Sequence, residues 1–547
     1  MPRSNPDSIE IKLADGSIVE VRNFAAFILI RTTHEALGQL GRAIFERKFE
    51  FVDEVIATEV EICLEVNDRF TPELLSQLSD LEFAPSEMVS GKALAAGTER
   101  DEPAASALPL TTRTQHEIRI CITEDHEDWP LIEAHTGLQR DQYVEELLQC
   151  RLSVAMTGFL PGFVYLKGLP EALQVPRKNS PSVRTLPNTF AIGGKYAGIY
   201  SLPSAAGWNC IGRLEQSIFD PNQLPPVALE IGDQIKLIRT EKLKETSVPA
   251  PTATTSTTKD MGALRFRKPG MLTTIQDQGR EGMAYYAVPK SGPMDVMSAS
   301  IANALVGNPN HAPVIECNFV GPEIEFGSDA TICLTGADMG WQVDGKPTHR
   351  NKTIKVRAGS MLRGSAAVEG CRAYIAIRGE IETTKTLGSS SCYAPAGFGG
   401  NNGKPFSTGD QLRWIKPTEQ AAHLDLEIQL KSGCEGLLIE AGPEFDWLDA
   451  KSVEAIYASE FSVNPTSNRM GARLDGPKLS TRGQQLEDSL PLLPGMIQLT
   501  PEGQCIVVLQ DGQTTGGYPR IAFLNERNVQ RLSQTKIGHP FRLRMAE

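Results

Sequence analysis

The stretch C-I-V-V-L-Q-D-G-Q-T-T-G-G-Y-P-R (residues 505–520) sets an apolar run of strand length against a loop dense in hydroxyls, glycines and positive charge. The run 505–510 reads as a buried strand bounded by turn residues. A plain turn needs one or two special residues. Here Gln513, Thr514, Thr515, Gly516, Gly517, Tyr518 and Arg520 arrive together. Such a surplus of donors at a strand end marks a candidate binding loop on a β scaffold.

Working outward, the same combination of short apolar strands and donor-rich loops recurs. T-T-I-Q-D-Q-G-R-E-G (273–282) places Gln276, Asp277 and Arg280 among glycine turns, and V-P-K-S-G-P-M-D (288–295) carries Ser291 and Asp295. Asp295 precedes V-M-S-A-S-I-A-N-A-L and reads equally well as a helix N-cap. S-N-R-M-G-A-R-L-D-G (467–476) holds Arg469 and Arg473 around Gly471. Guanidiniums, Thr hydroxyls and glycine amides stabilise negative charge on a carboxylate or a polarised carbonyl. Asp277, Asp295 and Asp338 are the acceptors available as a general base. This set suits a small carbonyl-bearing ligand. Nearer the N-terminus, T-G-F-L-P-G-F-V-Y-L (157–166) offers Phe159, Phe163 and Tyr165, either as core aromatics or as a ligand wall. Arg213, in G-W-N-C-I-G-R, is the basic residue there whose neighbours should fix its position.

A chain of 547 residues exceeds one core and predicts about three units. Residues 95–113 and the Ser/Thr/Pro tract 245–260 read as linkers dividing it into 1–94, 114–244 and 261–547. The first alternates strands with helical stretches, Thr71–Pro72 being a helix start, and reads as a small α+β sandwich. The other two read as mainly β, barrels or sandwiches. A net charge of −13 argues against nucleic-acid or acidic-membrane partners. No apolar run reaches membrane-spanning length, and the polar N-terminus lacks a signal-peptide core, so a cytoplasmic enzyme is expected. The ten cysteines form no C-x-x-C pair and read as small buried hydrophobes, so no metal site is expected. Phosphate-loop, zinc-hydrolase and serine-hydrolase motifs are missing from the sequence.

The words G-F-L-P-G-F-V-Y-L, L-P-N-T-F-A-I-G-G, A-G-I-Y and G-W-N-C-I-G-R make 114–244 resemble the B-type domain shared by bacterial 5-oxoprolinase and urea amidolyase. Residues 10–94 look like the N-terminal domain of the 5-oxoprolinase B-type chain. K-P-G-M-L-T-T-I-Q-D-Q-G-R, V-P-K-S-G-P-M-D, L-V-G-N-P, L-T-G-A-D, S-N-R-M-G-A-R-L-D-G and Q-T-T-G-G-Y-P-R-I make 264–547 resemble its C-type chain. The resemblance implies two cyclophilin-like β-barrels in a natural B–C fusion. It also implies an ATP-dependent 5-oxoprolinase component, opening 5-oxo-L-proline to L-glutamate with a separate A-type subunit and with ATP and Mg²⁺ on or with that partner. The alternative is a carboxyltransferase acting on urea or another small amide, with carboxybiotin from another chain. A third reading, drawn from relatives that regulate a sensor histidine kinase, is a regulatory pair in one chain. In the B half the family usually carries Gly-Gln-Thr where this chain has Lys195-Tyr196-Ala197, Pro at Val164, and Pro-Gly-Gly-Trp at Ala205-Ala206-Gly207-Trp208.

Overall fold

The computed structural model describes residues 8–13, 17–24, 26–32, 37–67, 77, 78, 81, 114–243, 260–417 and 436–546. The expected helix start at Thr71–Pro72 and both linkers, Asp260 apart, lie outside these residues. The chain is mainly β, and two closed seven-stranded barrels account for much of it.

The first barrel uses Gln115–Ile122, Leu152–Thr157, Val164–Lys167, Thr189–Gly193, Tyr196–Tyr200, Asn209–Leu214 and Gln234–Arg239. The second uses Gly436–Ala441, Glu460–Val463, Gly471–Asp475, Met496–Leu499, Cys505–Val508, Arg520–Phe523 and Phe541–Met545. In each, the first and last strands pair in parallel, while the other ladders are antiparallel. That one parallel seam closes each sheet and leaves no edge strand exposed. The two barrels share this build without a sequence repeat.

Residues 261–415 form a separate body. A seven-stranded sheet containing Met261–Lys268 faces a five-stranded sheet of Leu272–Gln276, Val314–Asn318, Ala330–Asp338, Thr353–Val356 and Glu369–Ile377. The helix Val296–Val306 covers the second sheet, burying Ala302, Leu305 and Val306 against Val314, Cys333 and Tyr374. The C half is therefore a two-sheet body followed by a barrel, where a single barrel unit was expected.

The N-terminal unit explains how the halves cohere. It is one antiparallel five-stranded sheet in the order Ser8–Lys12, Ile18–Asn23, Phe27–Arg31, Ile62–Val66, Val52–Ala57, with the helix Leu37–Arg47. The run Phe27–Ile30 is buried at every position. A strand covered on one face alternates in polarity, so a continuous apolar run implies cover on both. Ile28 and Ile30 join the core that includes the first barrel, whereas Phe27 and Leu29 pack on Leu492, Met496 and Phe523 of the second. The sheet is a filling between the two barrels.

Polar groups lock that filling. Arg520 is fully buried and spends every side-chain N–H on protein acceptors. Nε and Nη2 donate to Glu444 at 2.9 and 2.8 Å, Nη1 and Nη2 to Glu61 at 2.5 and 3.2 Å, and Nη1 also to the Pro491 carbonyl at 3.1 Å. Arg31 adds a second cation against the same two carboxylates. Burial opposes the ionised form of Glu444, yet Arg520 and then Arg31 hold its pKa below the usual range. Elsewhere on the seam, buried Glu54 accepts the N–H groups of Gly282 and Ala284 at 2.8 and 3.0 Å. Desolvation still wins there and raises its pKa to about 8.

Removing one partner of a buried ion pair strands the other. Glu61→Ala should cost about 3–5 kcal/mol in urea unfolding, and an effect below about 1 kcal/mol would show that the network is slack. The raised Glu54 pKa means the folded chain holds a proton that the unfolded chain has released. Stability from this group is therefore present below the ordinary value of 4.5 and lost as pH rises toward about 8. Thermal melts at pH 6 and pH 9 should show that loss in the native protein and a smaller one in Glu54→Gln.

Candidate functional site

Two groups of residues come together where the first barrel meets the C half. The first lies on the barrel-to-barrel seam. The loop 157–163 follows the strand Leu152–Thr157, and Phe159 there has φ of 63°. Its backbone N–H donates to Thr515 Oγ1 at 3.0 Å, and the Tyr165 hydroxyl bonds the side chains of Thr515 and Ser489. Thr157 Oγ1 donates to the Tyr285 carbonyl, and Gly162 N–H to the Tyr286 carbonyl at 3.0 Å. Behind this contact Phe163, Tyr165, Tyr196, Tyr200 and Trp208 pack edge to face into one aromatic cluster. Gly198 is needed because a Cβ there would lie 2.6 Å from the Trp208 ring. Arg177 stacks over the outer face of Trp208, 5.7 Å from its centroid. Phe163 and Tyr165 thus belong to a packed wall, and Phe159 is half-buried at its edge.

The second group gathers four loops of the C half. Arg469 is buried between them and donates to Asp511 at 2.8 and 3.1 Å, to Glu316 at 2.5 Å and to the Gly292 carbonyl at 2.7 Å. Ser291 N–H donates to the Gln510 carbonyl at 2.9 Å, and Arg280 N–H to the Lys290 carbonyl at 2.7 Å. Asp277 is wrapped by a serine run: Ser389 and Ser391 hydroxyls donate to Oδ1 at 2.5 and 2.7 Å, and Ser390 N–H to Oδ2 at 2.6 Å. Gln276 Nε2 donates to Thr274 Oγ1 and to the Cys392 carbonyl at 3.0 and 3.3 Å. The Arg280 guanidinium lies over Phe398 at 4.7 Å and donates to the Thr386 and Ser391 carbonyls. Burial pulls its pKa down to about 10. Beside this cluster a cavity of about 600 Å³ is lined by Asp277, Gln278, Gly279, Leu387, Gly388 and Lys385, among others.

Some expected binders are committed elsewhere. Arg520 has no side-chain N–H left for a ligand, so it is a bolt between units. Arg469 likewise spends its fork on carboxylates of its own chain. Arg473 is exposed, with Nη1 on Gln504 at 3.4 Å, so it does not share a fork with Arg469. Arg213 donates to the Pro187 carbonyl at 3.3 Å, away from the seam. Asp295 caps its helix through Ser298 N–H at 3.0 Å and also accepts Gln534 Nε2 at 2.8 Å, which removes it as a free base. Asp338 accepts Gly340 N–H at 2.9 Å in a turn. Within the opening loop, Thr514 and Thr515 are buried, Gly516 pairs with Leu490, Gln513 is half-buried, and Gly517 and Tyr518 are exposed. Glu316, Asp511, the serine run 389–391 and Ser489 were not singled out in the sequence. Only the Ser-Ser-Ser run carried a visible signal.

Among the described residues, seven cysteines are buried and free as expected, and Cys121 and Cys150 are half-buried. Cys434 lies outside them. His126, Asp128 and Cys210 place ligand-type atoms within 4.8 Å of one another. The Lys178 ammonium already meets both Asp128 oxygens at 3.0 and 2.9 Å, which supplies the cation that carboxylate needs.

Gly158 makes the seam testable. A Cβ there would lie 2.1 Å from Thr515 Oγ1. Gly158→Ala should separate the barrels locally and lower the melting temperature by several degrees, and Thr515→Gly in the same chain should restore most of it. Equal melting of wild type and Gly158→Ala would mean that the seam is not in close contact.

A family model described as the carboxyltransferase domain, subdomain C and D, matches residues 30–229, and one for subdomain A and B matches residues 286–545. The C subunit of 5-oxoprolinase from Escherichia coli (strain K12) is 35% identical over 280 residues, 51% of this chain and 89% of that protein. The B subunit of 5-oxoprolinase from Escherichia coli O157:H7 is 37% identical over 111 residues, 20% of this chain and 51% of that protein. Urea amidolyase of Lachancea kluyveri is 32% identical over 302 residues, which cover half of this chain but 16% of that protein. The crystal structure of TTHA0988 superposes with a TM-score of 0.80 at 25% identity, covering 96% of this chain and all of that one. With both domain types matched on one polypeptide, and with the C-type relative matched along most of its length, the chain belongs to the carboxyltransferase-domain family of the 5-oxoprolinase B and C subunits.

Proposed function

We propose that this chain is the fused B and C component of a cytoplasmic ATP-dependent 5-oxoprolinase, opening 5-oxo-L-proline to L-glutamate with a separate A-type subunit. The observation that carries this reading is the union of a B-like and a C-like half into one body. Thr515 of the C half holds the Phe159 backbone and the Tyr165 hydroxyl of the B half. Two proteins that act together elsewhere are here fixed in register.

The charge pattern supports a division of labour. The loop cluster holds Arg280 and Arg469 against Asp277, Asp511 and Glu316, and the neighbouring cavity sets Arg378 and Lys385 beside Asp277, Glu281 and Glu380, a mixed-charge surface that suits a small polar amide. In this reading ATP and Mg²⁺ are bound with or on the A-type partner, which supplies the activating phosphoryl chemistry. This chain's part is to hold the amide and shield it from water. In this reading Thr514, Thr515 and the glycine amides of the opening loop face the amide, and Asp277, Glu281 and Glu380 are the carboxylates that line the cavity.

The second reading is a carboxyltransferase for a small amide, favoured by the carboxyltransferase description of both matched domain models. It needs a biotin carboxylase and a biotin carrier on other chains. One assay separates the two. The full chain mixed with the A-type partner, ATP, Mg²⁺ and 5-oxo-L-proline should release glutamate, and neither protein alone should do so. Absence of glutamate from a folded, associated mixture would overturn the 5-oxoprolinase reading and turn attention to carboxybiotin as the co-substrate.

A further inference from the structure

The cavity beside the loop cluster takes one wall from Asp277, Gln278, Gly279 and Glu281. That wall is pinned at both ends. At its start the serine run 389–391 and the Gly279 N–H hold the Asp277 carboxylate, an anchor within the two-sheet body itself. Just past its end, Gly282 and Ala284 donate their backbone N–H groups to Glu54 Oε1 and Oε2 at 2.8 and 3.0 Å. Glu54 belongs to the N-terminal sheet, 228 and 230 residues away along the chain. A unit outside the C half therefore fixes where the cavity wall ends.

The strand Val52–Ala57 shows how a carboxylate comes to face this seam. Its pairing with Ile62–Val66 slips between Val52 and Glu54, a bulge that takes up Asp53. Beyond the bulge the two faces alternate. Val55 and Ala57 join the core that includes the first barrel, whereas Ile56 packs with Ala284 and Leu492 of the C half. Glu54, two residues before Ile56, lies on the same face and is 4% exposed. An apolar residue there would extend that face but leave the N–H groups of Gly282 and Ala284 without acceptors.

The charges around Glu54 do not favour its ionised form. Glu65 stands opposite it in the strand pairing, and burial raises the pKa of both. Glu65 also feels Asp53 and, from the helix Glu526–Ser533, Glu526. The cation facing them is Lys290 of the C half. Burial opposes its ammonium, yet Glu65, Glu54, Glu281 and Asp53 hold its pKa above the ordinary value. A protonated Glu54 keeps its hydrogen bonds and adds no charge. An ionised one accepts them more strongly but sets a buried charge beside Glu65, a cost that falls when the seam parts and water enters.

We propose that Glu54 is a positioning residue for this cavity, a proton-dependent strap by which the N-terminal sheet holds the loop 277–284 in place. With the proton on, the strap is tight and the wall is set. As the proton leaves, the loop gains freedom, so the shape of the cavity is tied to the docking of the N-terminal sheet. The strap stands whatever ligand the cavity takes.

Hydrogen–deuterium exchange of the full chain alone, read by mass spectrometry from pH 5 to pH 9 and corrected for the intrinsic pH dependence of amide exchange, tests the strap. The opened loop releases the Glu54 proton near the ordinary value of 4.5 and the closed loop near 8. Opening is therefore favoured progressively across that window and levels off above it. Segments 277–281 and 282–287 should exchange well ahead of the barrel strand Cys505–Val508, and both should lose protection by at least about tenfold between pH 5 and pH 8. Glu54→Gln cannot titrate and should flatten the profile of both segments. Glu65→Gln removes the like charge opposite and should move the levelling-off to lower pH. Exchange of both segments at the rate of Cys505–Val508 would mean that Glu54 acts only through global unfolding. Loss confined to 282–287 would mean that it does not set the cavity wall. A flat wild-type profile, or a pH dependence that survives Glu54→Gln, would take the proton out of the device. Each of these outcomes overturns the strap, and failure of the glutamate assay leaves it untouched.

Discussion

The fully buried guanidinium of Arg520 sets the terms for the whole assembly. A cation removed from water is tolerated only if its charge and all its N–H groups are matched. Glu444 matches it from the second barrel and Glu61 from the N-terminal sheet, with Pro491 taking the remaining hydrogen. The match exists only when sheet and barrel are docked. The same sheet presents Phe27 and Leu29 to the second barrel and Ile28 and Ile30 to the core that it shares with the helix Leu37–Arg47 and the first barrel. The N-terminal unit, which looks ordinary as a sequence, therefore determines how the barrels stand to one another and so whether Thr515 can reach Phe159.

The positions where the B half departs from its family gain meaning in this light. Lys195 pairs with Asp488 of the C half at 2.7 Å. The Tyr196 hydroxyl meets Glu59 of the N-terminal sheet at 2.6 Å and Asp488 at 3.2 Å. Substitutions that look like erosion in the isolated half are ties across the junction of three units. A fused chain keeps its halves at high effective concentration, so modest contacts of this kind suffice to fix their register.

The sequence displayed its strands, its turn chemistry and the helix start at Asp295 because these are local. Alternation, glycine and capping are each read within a short window of chain. The loops it picked out around Arg280, Ser291, Arg469 and Asp511 do meet in space. The roles of the arginines were not legible. An arginine after an apolar run looks the same whether its partner is a ligand or a buried carboxylate, and Glu61 lies 459 residues from Arg520. The extra two-sheet body was hidden for a related reason. Short strands with glycine turns make a sandwich or a barrel alike, and only the pairing of the first strand with the last distinguishes them.

The buried arginines of the C half differ in how completely their own chain satisfies them. Arg469 and Arg520 are saturated by their own chain, and saturated groups hold structure together without discriminating among ligands. Arg280 is in the opposite state: its aromatic neighbour and two carbonyls hold the guanidinium in place, burial lowers its pKa to about 10, and one nitrogen is left over. An unpaired buried donor is costly, so the other contacts of this guanidinium must hold it where it is. The cavity nearby carries both signs of charge, Arg378 and Lys385 against Asp277, Glu281 and Glu380.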